Sequence, residues 1–177
     1  MSFTEAWYSE AACHALTRAA RSTNHLAGRV VEVGCWEGRS TVALARAVAP
    51  EWVHAVDTWQ GSAGERSAQL ASGRDVYAQF LANVDALTDG NVLAYRESWE
   101  QFFARETAPI RFVHIDAEHS YEAVRGNIEA VRPFMVLGGV ICGDDTHHEP
   151  VKRAVRDTLG FASEDVSLWV WRVPDGN

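Results

Sequence analysis

The sequence predicts an α/β fold with a mostly parallel central sheet and helices on both faces, in a Rossmann-like arrangement. Short apolar runs rich in β-branched residues alternate along the chain with longer segments of helical periodicity. Two of these runs, 112–115 and 136–142, have the composition of strands buried on both faces, and each leads into acidic residues. A third run, 29–33, leads into a Gly-rich turn. Strict alternation of strands and helices implies parallel strands joined by right-handed crossovers.

The predicted elements follow one another with short connections inside a single domain that covers 1–177. An N-terminal helical segment, 1–28, holds a first helix that Thr4 could cap and that continues to about Arg21. Residues 58–74 are rich in Gly and Ser, so we expect an inserted loop that could act as a lid. The predicted strands are 29–33, 53–56, 92–95, 110–115, 136–142 and 168–173, and the predicted helices after the first are 39–48, 75–87, 99–105, 121–131 and 149–159.

The composition is typical of a soluble globular protein, with 47% hydrophobic and 23% charged residues. The net charge of −8 argues against a nucleic-acid or anionic-membrane partner. No apolar run approaches the roughly 20 residues of a membrane-spanning helix. The three cysteines fit neither a zinc spacing nor a disulfide framework, so we expect a cytoplasmic protein. Trp169 and Trp171 alternate on a predicted strand and belong either to the core or to an interface, which leaves a homo-oligomer open.

Acidic residues follow two of the predicted strands. Asp116 comes directly after the strand 110–115, and Asp144 and Asp145 come shortly after the strand 136–142. The carboxyl ends of parallel strands meet at the crevice where open α/β sheets bind ligands. Carboxylates gathered there would repel one another unless a cation lay between them, and oxygen ligands suit Mg²⁺ or another hard divalent ion. Neighbours on an extended strand point to opposite faces, so Asp144 and Asp145 could share one ion only if the strand ended at Asp144.

A second motif is the turn from Gly34 to Gly38, between a predicted strand and a predicted helix. The glycines allow a tight turn and a close approach of ligand to backbone, and the helix N-terminus offers free N–H groups to an anion. An ordinary βα turn could carry the same glycines. Asp57 ends the next strand, where Rossmann-like sites have a ribose-binding acid, although it could simply cap a turn. The G-x-G-x-x-G fingerprint is absent, and this geometry serves NAD and S-adenosylmethionine alike.

Together these motifs resemble those of class I S-adenosylmethionine-dependent methyltransferases over about residues 29–173. The likeness is greatest to the macrocin O-methyltransferase-like group, which uses a divalent metal to methylate hydroxyls of sugars and other small molecules. One departure is Ala117-Glu118, where Gly-Asp or Gly-Gly is commoner. The segments that carry the resemblance are Val31-Glu32-Val33-Gly34, Gly38-Arg39-Ser40-Thr41, Val56-Asp57-Thr58-Trp59-Gln60-Gly61-Ser62, Ile115-Asp116-Ala117-Glu118-His119-Ser120-Tyr121 and Gly138-Gly139-Val140 followed by Asp144-Asp145.

The resemblance implies a role for each motif. S-adenosylmethionine would lie along the glycine turn, with its ribose on Asp57, and Asp116, Asp144 and Asp145 would hold Mg²⁺ or another divalent cation. His119 matches the group's candidate base, and its imidazole titrates near working pH, although it could instead cap a helix or hydrogen-bond a carboxylate. The implied cofactor-binding residues are Glu32, Gly34, Trp36, Gly38, Ser40, Asp57, Thr58, Trp59, Ser98 and Asp116.

The leading hypothesis is a methyltransferase that uses S-adenosylmethionine and a divalent metal to methylate a hydroxyl of a small molecule or sugar. A metal-independent methyltransferase is the first alternative. A metal-dependent hydrolase using Asp116, His119, Asp144 and His147, an NAD(P)-linked oxidoreductase and a catalytically silent binding protein are the others. His147 and His148 follow the acid pair after Thr146 and could bind zinc, or they could lie in a solvated loop.

Overall fold

The computed structural model describes residues 3–5 and 7–175, and it is built from seven strands and seven α-helices within those residues. The strands β1 to β7 are, in chain order, Arg29–Val33, Val53–Asp57, Val92–Arg96, Ile110–Ile115, Met135–Gly143, Ser163–Asp165 and Leu168–Arg172. The helices α1 to α7 are Glu10–Arg21, Arg39–Val48, Arg66–Gly73, Val76–Leu87, Trp99–Arg105, Tyr121–Val131 and Glu149–Leu159. A 3₁₀ turn, Arg132–Phe134, connects α6 to β5.

The strands form one sheet in the order β3-β2-β1-β4-β5-β7-β6. The first five of these pair in parallel, whereas β7 is antiparallel to both β5 and β6. The prediction of a mostly parallel sheet is therefore confirmed. The chain adds strands outward from β1 to β3 and then returns to the other side of β1 with β4. This reversal of strand order lies between β1 and β4, which is where open α/β sheets form a ligand-binding crevice.

Helices cover both faces of the sheet. Leu16 of α1 and Leu44 of α2 pack on one face with buried residues of the strands. Ile128 of α6 and Val155 of α7 pack on the opposite face, together with Trp169 of β7, which is therefore a core residue. The strand β4 is buried at all six positions, because it lies in the middle of the sheet with helices above and below. The core thus holds the ends of β1 and β4 in fixed positions beside each other.

The first helix begins later than predicted. Ser9 is the N-cap of α1, and its side chain accepts a hydrogen bond from the Ala12 N–H at 3.0 Å. Thr4 instead donates its backbone N–H to Oε2 of Glu37 at 2.6 Å. Ala6, which the predicted helix would include, lies outside the described residues. The predicted start was wrong because Ser and Thr are both good N-cap residues, and here a contact with a distant part of the chain binds Thr4.

The segment 58–74, expected to be a loop, contains the helix α3. Its flanking arginine Arg74 lies 2.7 Å from Glu37 and 3.7 Å from Glu5, and Arg66 lies 3.6 Å from Glu5. The insert therefore contacts the segment that precedes α1, and its action as a lid stays a prediction. Among the described residues, no helix has the length and apolar content that crossing a bilayer would require.

Candidate functional site

A cavity of about 970 Å³ opens at the carboxyl ends of β1, β2, β4 and β5. It lies at the reversal of strand order, and its volume is at the upper end of the roughly 300–1,000 Å³ found for small-molecule sites. The segment before α1 and the insert form its rim. The residues that line it include Glu5, Trp7, Tyr8, Gly34, Trp36, Arg39, Ser40, Asp57, Thr58, Glu65, Ser98, Asp116, His119, Asp144, Asp145, His147 and His148.

The turn after β1 packs directly against the end of β4. Gly34 has φ +86°, and a Cβ atom there would lie 2.1 Å from the carbonyl oxygen of Asp116. The Asp116 N–H in turn donates to the Val33 carbonyl at 2.8 Å. Gly38 is the N-cap of α2 with φ +87°, and a Cβ atom there would lie 3.0 Å from the ring of Phe80. Gly34 is therefore required by a contact between backbones, and Gly38 is favoured by its positive φ, whether or not a ligand binds.

The Asp57 carboxylate ties this turn to β2. Its Oδ2 accepts the N–H groups of Cys35 at 2.7 Å and Trp36 at 2.9 Å, and its Oδ1 accepts the N–H of Trp59 at 2.7 Å. Burial raises the pKa of the Asp57 carboxyl, against the effect of these three donors. A carboxylate can accept about four hydrogen bonds, so about one position is left for a ligand hydroxyl. The sequence offered two roles for Asp57, capping of a turn and binding of a ligand, and the structure allows both at once.

Two of the predicted cofactor-binding side chains lie away from the cavity wall. Trp59 is only 3% exposed, its ring packs against Tyr77 and Phe80, and its Nε1 donates to the Trp36 carbonyl at 2.8 Å. The prediction that Trp59 lines an adenine site is therefore corrected: its side chain holds the glycine turn from within the core. Its backbone has φ +55°, and this conformation turns the chain inward after β2.

Glu32 also lies behind the wall, as the fourth of the five residues of β1. It accepts a hydrogen bond from the Thr41 hydroxyl and lies 3.0 Å from Nδ1 of His114. Nε2 of His114 lies 3.5 Å from the hydroxyl of Tyr8, which reaches the cavity. Burial opposes the charge of His114, but Glu32 and Asp116 raise its pKa, while burial raises the pKa of Tyr8. Sequence reasoning missed His114 and Tyr8, although a polar residue inside a buried strand was a usable signal.

The acids after β4 and β5 meet in the cavity. Asp116, His119 and Asp145 each offer one ligand atom, and these atoms lie within 4.8 Å of one another. The strand β5 ends at Gly143, and Asp145 has φ +65°, so the chain bends between the two adjacent acids. The strand therefore ends one residue before Asp144, and the alternation of an extended strand does not force the two acids to opposite faces. Asp144 lines the same cavity, but it is not part of this three-residue group.

These acids fit a divalent cation. Burial and the charges of Asp144 and Asp145 raise the pKa of Asp116 to about 7, against the opposing effect of His114 and His119. The buried Oδ1 of Asp144 has no hydrogen-bond partner among the residues that the structure describes. A buried oxygen without a partner and a carboxylate destabilised by its neighbours are both costly. A hard cation would relieve both costs, with Asp116, Asp144 and Asp145 as oxygen ligands.

His119 lies between two carboxylates. Its Nε2 is 2.8 Å from Oδ2 of Asp145, and its Nδ1 is 3.1 Å from Oε1 of Glu65. The hydrogen bond with Asp145 is the main cause that raises the pKa of His119 to about 9, against the effect of burial. The imidazole is thus protonated at neutral pH in this arrangement. Glu65 was missed from the sequence, because nothing in the pattern of the insert relates it to a histidine 54 residues away.

A family model described as a methyltransferase domain matches residues 31–146, which is more than half of the chain. No curated protein sequence matches the chain. The matched range contains the glycine turn, Asp57, Asp116, His119 and both acids after β5.

Solved structures similar to this chain include several methyltransferases. The O-methyltransferase NovP has a TM-score of 0.69 at 21% identity, over 92% of this chain and 79% of that chain. The calicheamicin methyltransferase CalS11 has a TM-score of 0.74 at 18% identity, over 92% and 79%. TomG of Streptomyces achromogenes, an O-methyltransferase involved in tomaymycin synthesis and solved in complex with SAM, has a TM-score of 0.65 at 15% identity, again over 92% and 79%. At these identities the likeness concerns the fold.

Proposed function

The chain belongs to the methyltransferase domain family, and we propose that it transfers a methyl group from S-adenosylmethionine to a hydroxyl of a small molecule or sugar, with a divalent cation. The observation that carries this proposal is that Asp57, beside the glycine turn, and the acids Asp116, Asp144 and Asp145 line one cavity. The complex of TomG with SAM supports the choice of cofactor. A hydrolase or an NAD-linked enzyme would leave the family match without an explanation.

In this proposal the glycine turn and Asp57 bind the cofactor. The free N–H groups in the first turn of α2 follow Gly38, which has no side-chain cap, and would attract the carboxylate of the methionine part. Asp57 would accept one ribose hydroxyl with its remaining acceptor position. Thr58 and Ser98 lie on the cavity wall at the ends of β2 and β3, where they would contact the adenosine. The cofactor supplies a methyl group on a positively charged sulfur, which the acidic wall favours.

The cation would be held by Asp116, Asp144 and Asp145. As a Lewis acid it would lower the proton affinity of a hydroxyl oxygen of the acceptor. His119 would then accept the proton from the acceptor hydroxyl. An imidazolium cannot accept a proton, so this role requires that the charge of Asp145 be neutralised first. The same acids that bind the cation would thereby control the protonation of the base. Glu65 would accept a hydrogen bond from Nδ1 of His119 and so leave Nε2, on the side of Asp145, to accept the proton.

The charges on the wall restrict the acceptor. Among the described residues that line the cavity, carboxylates greatly outnumber guanidinium groups. Glu5, Glu37 and Glu97 are paired with arginines. The remaining carboxylates still favour a neutral or cationic acceptor over a phosphate- or carboxylate-bearing one. The guanidinium groups are those of Arg39 and Arg66, and the carboxylates are those of Glu5, Glu37, Asp57, Glu65, Glu97, Glu100, Asp116, Glu118, Asp144 and Asp145.

Two measurements test the proposal. Thermal shift with S-adenosylmethionine, with NAD and with neither should show stabilisation by S-adenosylmethionine alone, of about 2.7 kcal/mol at 100 times its dissociation constant. Transfer of a labelled methyl group to a panel of neutral vicinal diols should occur with Mg²⁺ and stop with a chelator. Stabilisation by NAD alone would contradict the proposed cofactor. Transfer that a chelator leaves unchanged would favour the metal-independent methyltransferase instead.

A further inference from the structure

His147 and His148 follow Asp145 in a tight turn that holds both imidazoles on one side. The His148 N–H donates to the Asp145 carbonyl at 2.9 Å, and the Thr146 N–H donates to the Ser167 carbonyl at 3.1 Å. The turn is therefore closed on itself and attached to the connection between β6 and β7. The centroids of the two imidazole rings lie 4.4 Å apart. Adjacent side chains usually diverge on extended backbone, so this convergence depends on the turn.

The two oxygens of Asp145 face two different groups of side chains. Oδ2 contacts Nε2 of His119, as described above. Oδ1 lies 3.5 Å from Nε2 of His147 and 3.9 Å from Nε2 of His148. Asp145, His147 and His148 offer ligand atoms within 4.8 Å of one another, and so do Asp116, His119 and Asp145. One carboxylate is thus shared by two sets of potential metal ligands.

We propose that Asp145 Oδ1, His147 Nε2 and His148 Nε2 bind a second divalent ion, of the class that prefers imidazole, such as Zn²⁺ or Co²⁺. Imidazole nitrogens with a carboxylate suit borderline transition metals, whereas Mg²⁺ prefers oxygen ligands alone. Ligand atoms about 2.0–2.1 Å from a tetrahedral ion lie about 3.3 Å from one another. The distances of 3.5 Å and 3.9 Å to Asp145 Oδ1 therefore require only small side-chain adjustments.

The site is open to solution and to the cavity. The side chains of His147 and His148 are 69% and 45% exposed, and both residues line the cavity wall. A metal ion can therefore enter without unfolding of the turn. Three protein ligands leave at least one coordination position vacant, as in catalytic zinc sites. The ion would accordingly offer that position to water or to an oxygen of a molecule in the cavity.

Metal titration at saturating Mg²⁺ tests this site, because Mg²⁺ then occupies the carboxylate site. Co²⁺ followed by its visible absorption, and Zn²⁺ followed by calorimetry, should each bind one equivalent per chain. The double variant H147A/H148A should weaken Co²⁺ binding by at least about tenfold, since loss of ligands costs more than loss of their supporting contacts. The control H14A/H25A removes two exposed histidines elsewhere on the surface and should bind Co²⁺ normally.

Two results would overturn the proposal. Unchanged Co²⁺ affinity in H147A/H148A, with an intact thermal transition, would show that the ion binds elsewhere. Loss of Co²⁺ binding in D116N/D144N, with the histidines in place, would show that there is only the carboxylate site. Retention of Co²⁺ by D116N/D144N would support a separate site. None of these readouts involves S-adenosylmethionine, so a failure of the proposed methyl transfer would be recognised independently.

Discussion

Nε2 of His119 lies 2.8 Å from Oδ2 of Asp145, and this contact joins the segment after β4 to the turn after β5. The pKa of the imidazole is raised to about 9, chiefly by this hydrogen bond, while the pKa of Asp145 is lowered. Burial would raise the pKa of the Asp145 carboxyl, but the hydrogen bond to His119 and the charges of His119, His147 and His148 together outweigh it. The pair is thus ionised at neutral pH without a divalent cation. Its contribution to the free energy of unfolding must therefore depend on pH.

The first prediction is a loss of stability in mild alkali. A raised histidine pKa means that the contact stabilises the fold fully below the unfolded pKa, near 6.5, and that this contribution disappears as the pH rises through about 9. Because the side chain is 31% exposed, we expect a loss of about 1–2 kcal/mol after screening. Denaturant unfolding with a chelator at pH 7 and pH 10 measures it. The variant H119N should show a smaller difference, and an equal difference in both proteins would contradict the assignment.

The second prediction concerns Asp116. Its pKa is raised to about 7, so its charge destabilises the cation-free fold, with no penalty below about pH 4 and the full penalty above about pH 7. D116N should therefore raise the free energy of unfolding at pH 8 by a few kcal/mol in the presence of a chelator. The same variant should lose most of the stabilisation that Mg²⁺ gives to the wild type. A D116N protein that is less stable than wild type in chelator would show that the carboxylate is already neutralised by protein groups.

The third prediction separates the structural role of Asp57 from its role toward the cofactor. D57A removes three N–H acceptor contacts at once and should destabilise the fold by about 3 kcal/mol or more, as well as weaken S-adenosylmethionine binding. D75A is a matched control, since Asp75 caps α4 with one hydrogen bond to Ala78 and its loss should cost about 1 kcal/mol. Denaturant unfolding and calorimetry give the two quantities. Wild-type stability in D57A would mean that the turn does not depend on this carboxylate.

The fourth prediction concerns proton removal. H119A should lower kcat by about 10²–10⁴-fold at saturating Mg²⁺, because a positioned base contributes about that much, and should leave the affinity for S-adenosylmethionine nearly unchanged. H147A should lower kcat far less, since that imidazole faces the other oxygen of Asp145. Steady-state kinetics with one acceptor and a direct binding measurement separate the two effects. If H119A keeps a near-normal kcat, another group or water takes the proton.

The order of the elements could be predicted from the sequence because the strands are compact apolar runs. At each end of the five parallel strands, the predicted and observed bounds differ by one residue at most. The edge strand β6, with the sequence Ser-Glu-Asp, has no apolar residue and gave no signal. The first helix was predicted to begin at Thr4, whereas Ser9 is its N-cap, because Ser and Thr have similar propensities to cap a helix. Long-range contacts, which leave no periodic pattern, decided between them.

The candidate site was predictable where it depends on strand ends and less so elsewhere. Asp57, Asp116, Asp144 and Asp145 follow apolar runs, and parallel pairing brings the ends of such runs to one edge of the sheet. Trp59 was misplaced because its backbone has φ +55°, a conformation that a non-glycine residue adopts only under tertiary constraint. Glu65 belongs to an insert whose position over the sheet is set by side-chain contacts. Periodicity carries no information about such contacts.

The close approach of Gly34 to the Asp116 carbonyl also limits how this protein can diversify. A Cβ atom at position 34 would lie 2.1 Å from the Asp116 carbonyl oxygen. Even a methyl group there would therefore require the turn after β1 and the segment after β4, which both line the cavity, to move apart. New acceptor preferences would have to come from the rim, in the insert 58–74 and the segment before α1. Libraries that vary the rim should yield folded proteins with altered acceptors, whereas libraries at position 34 should yield mostly unfolded ones.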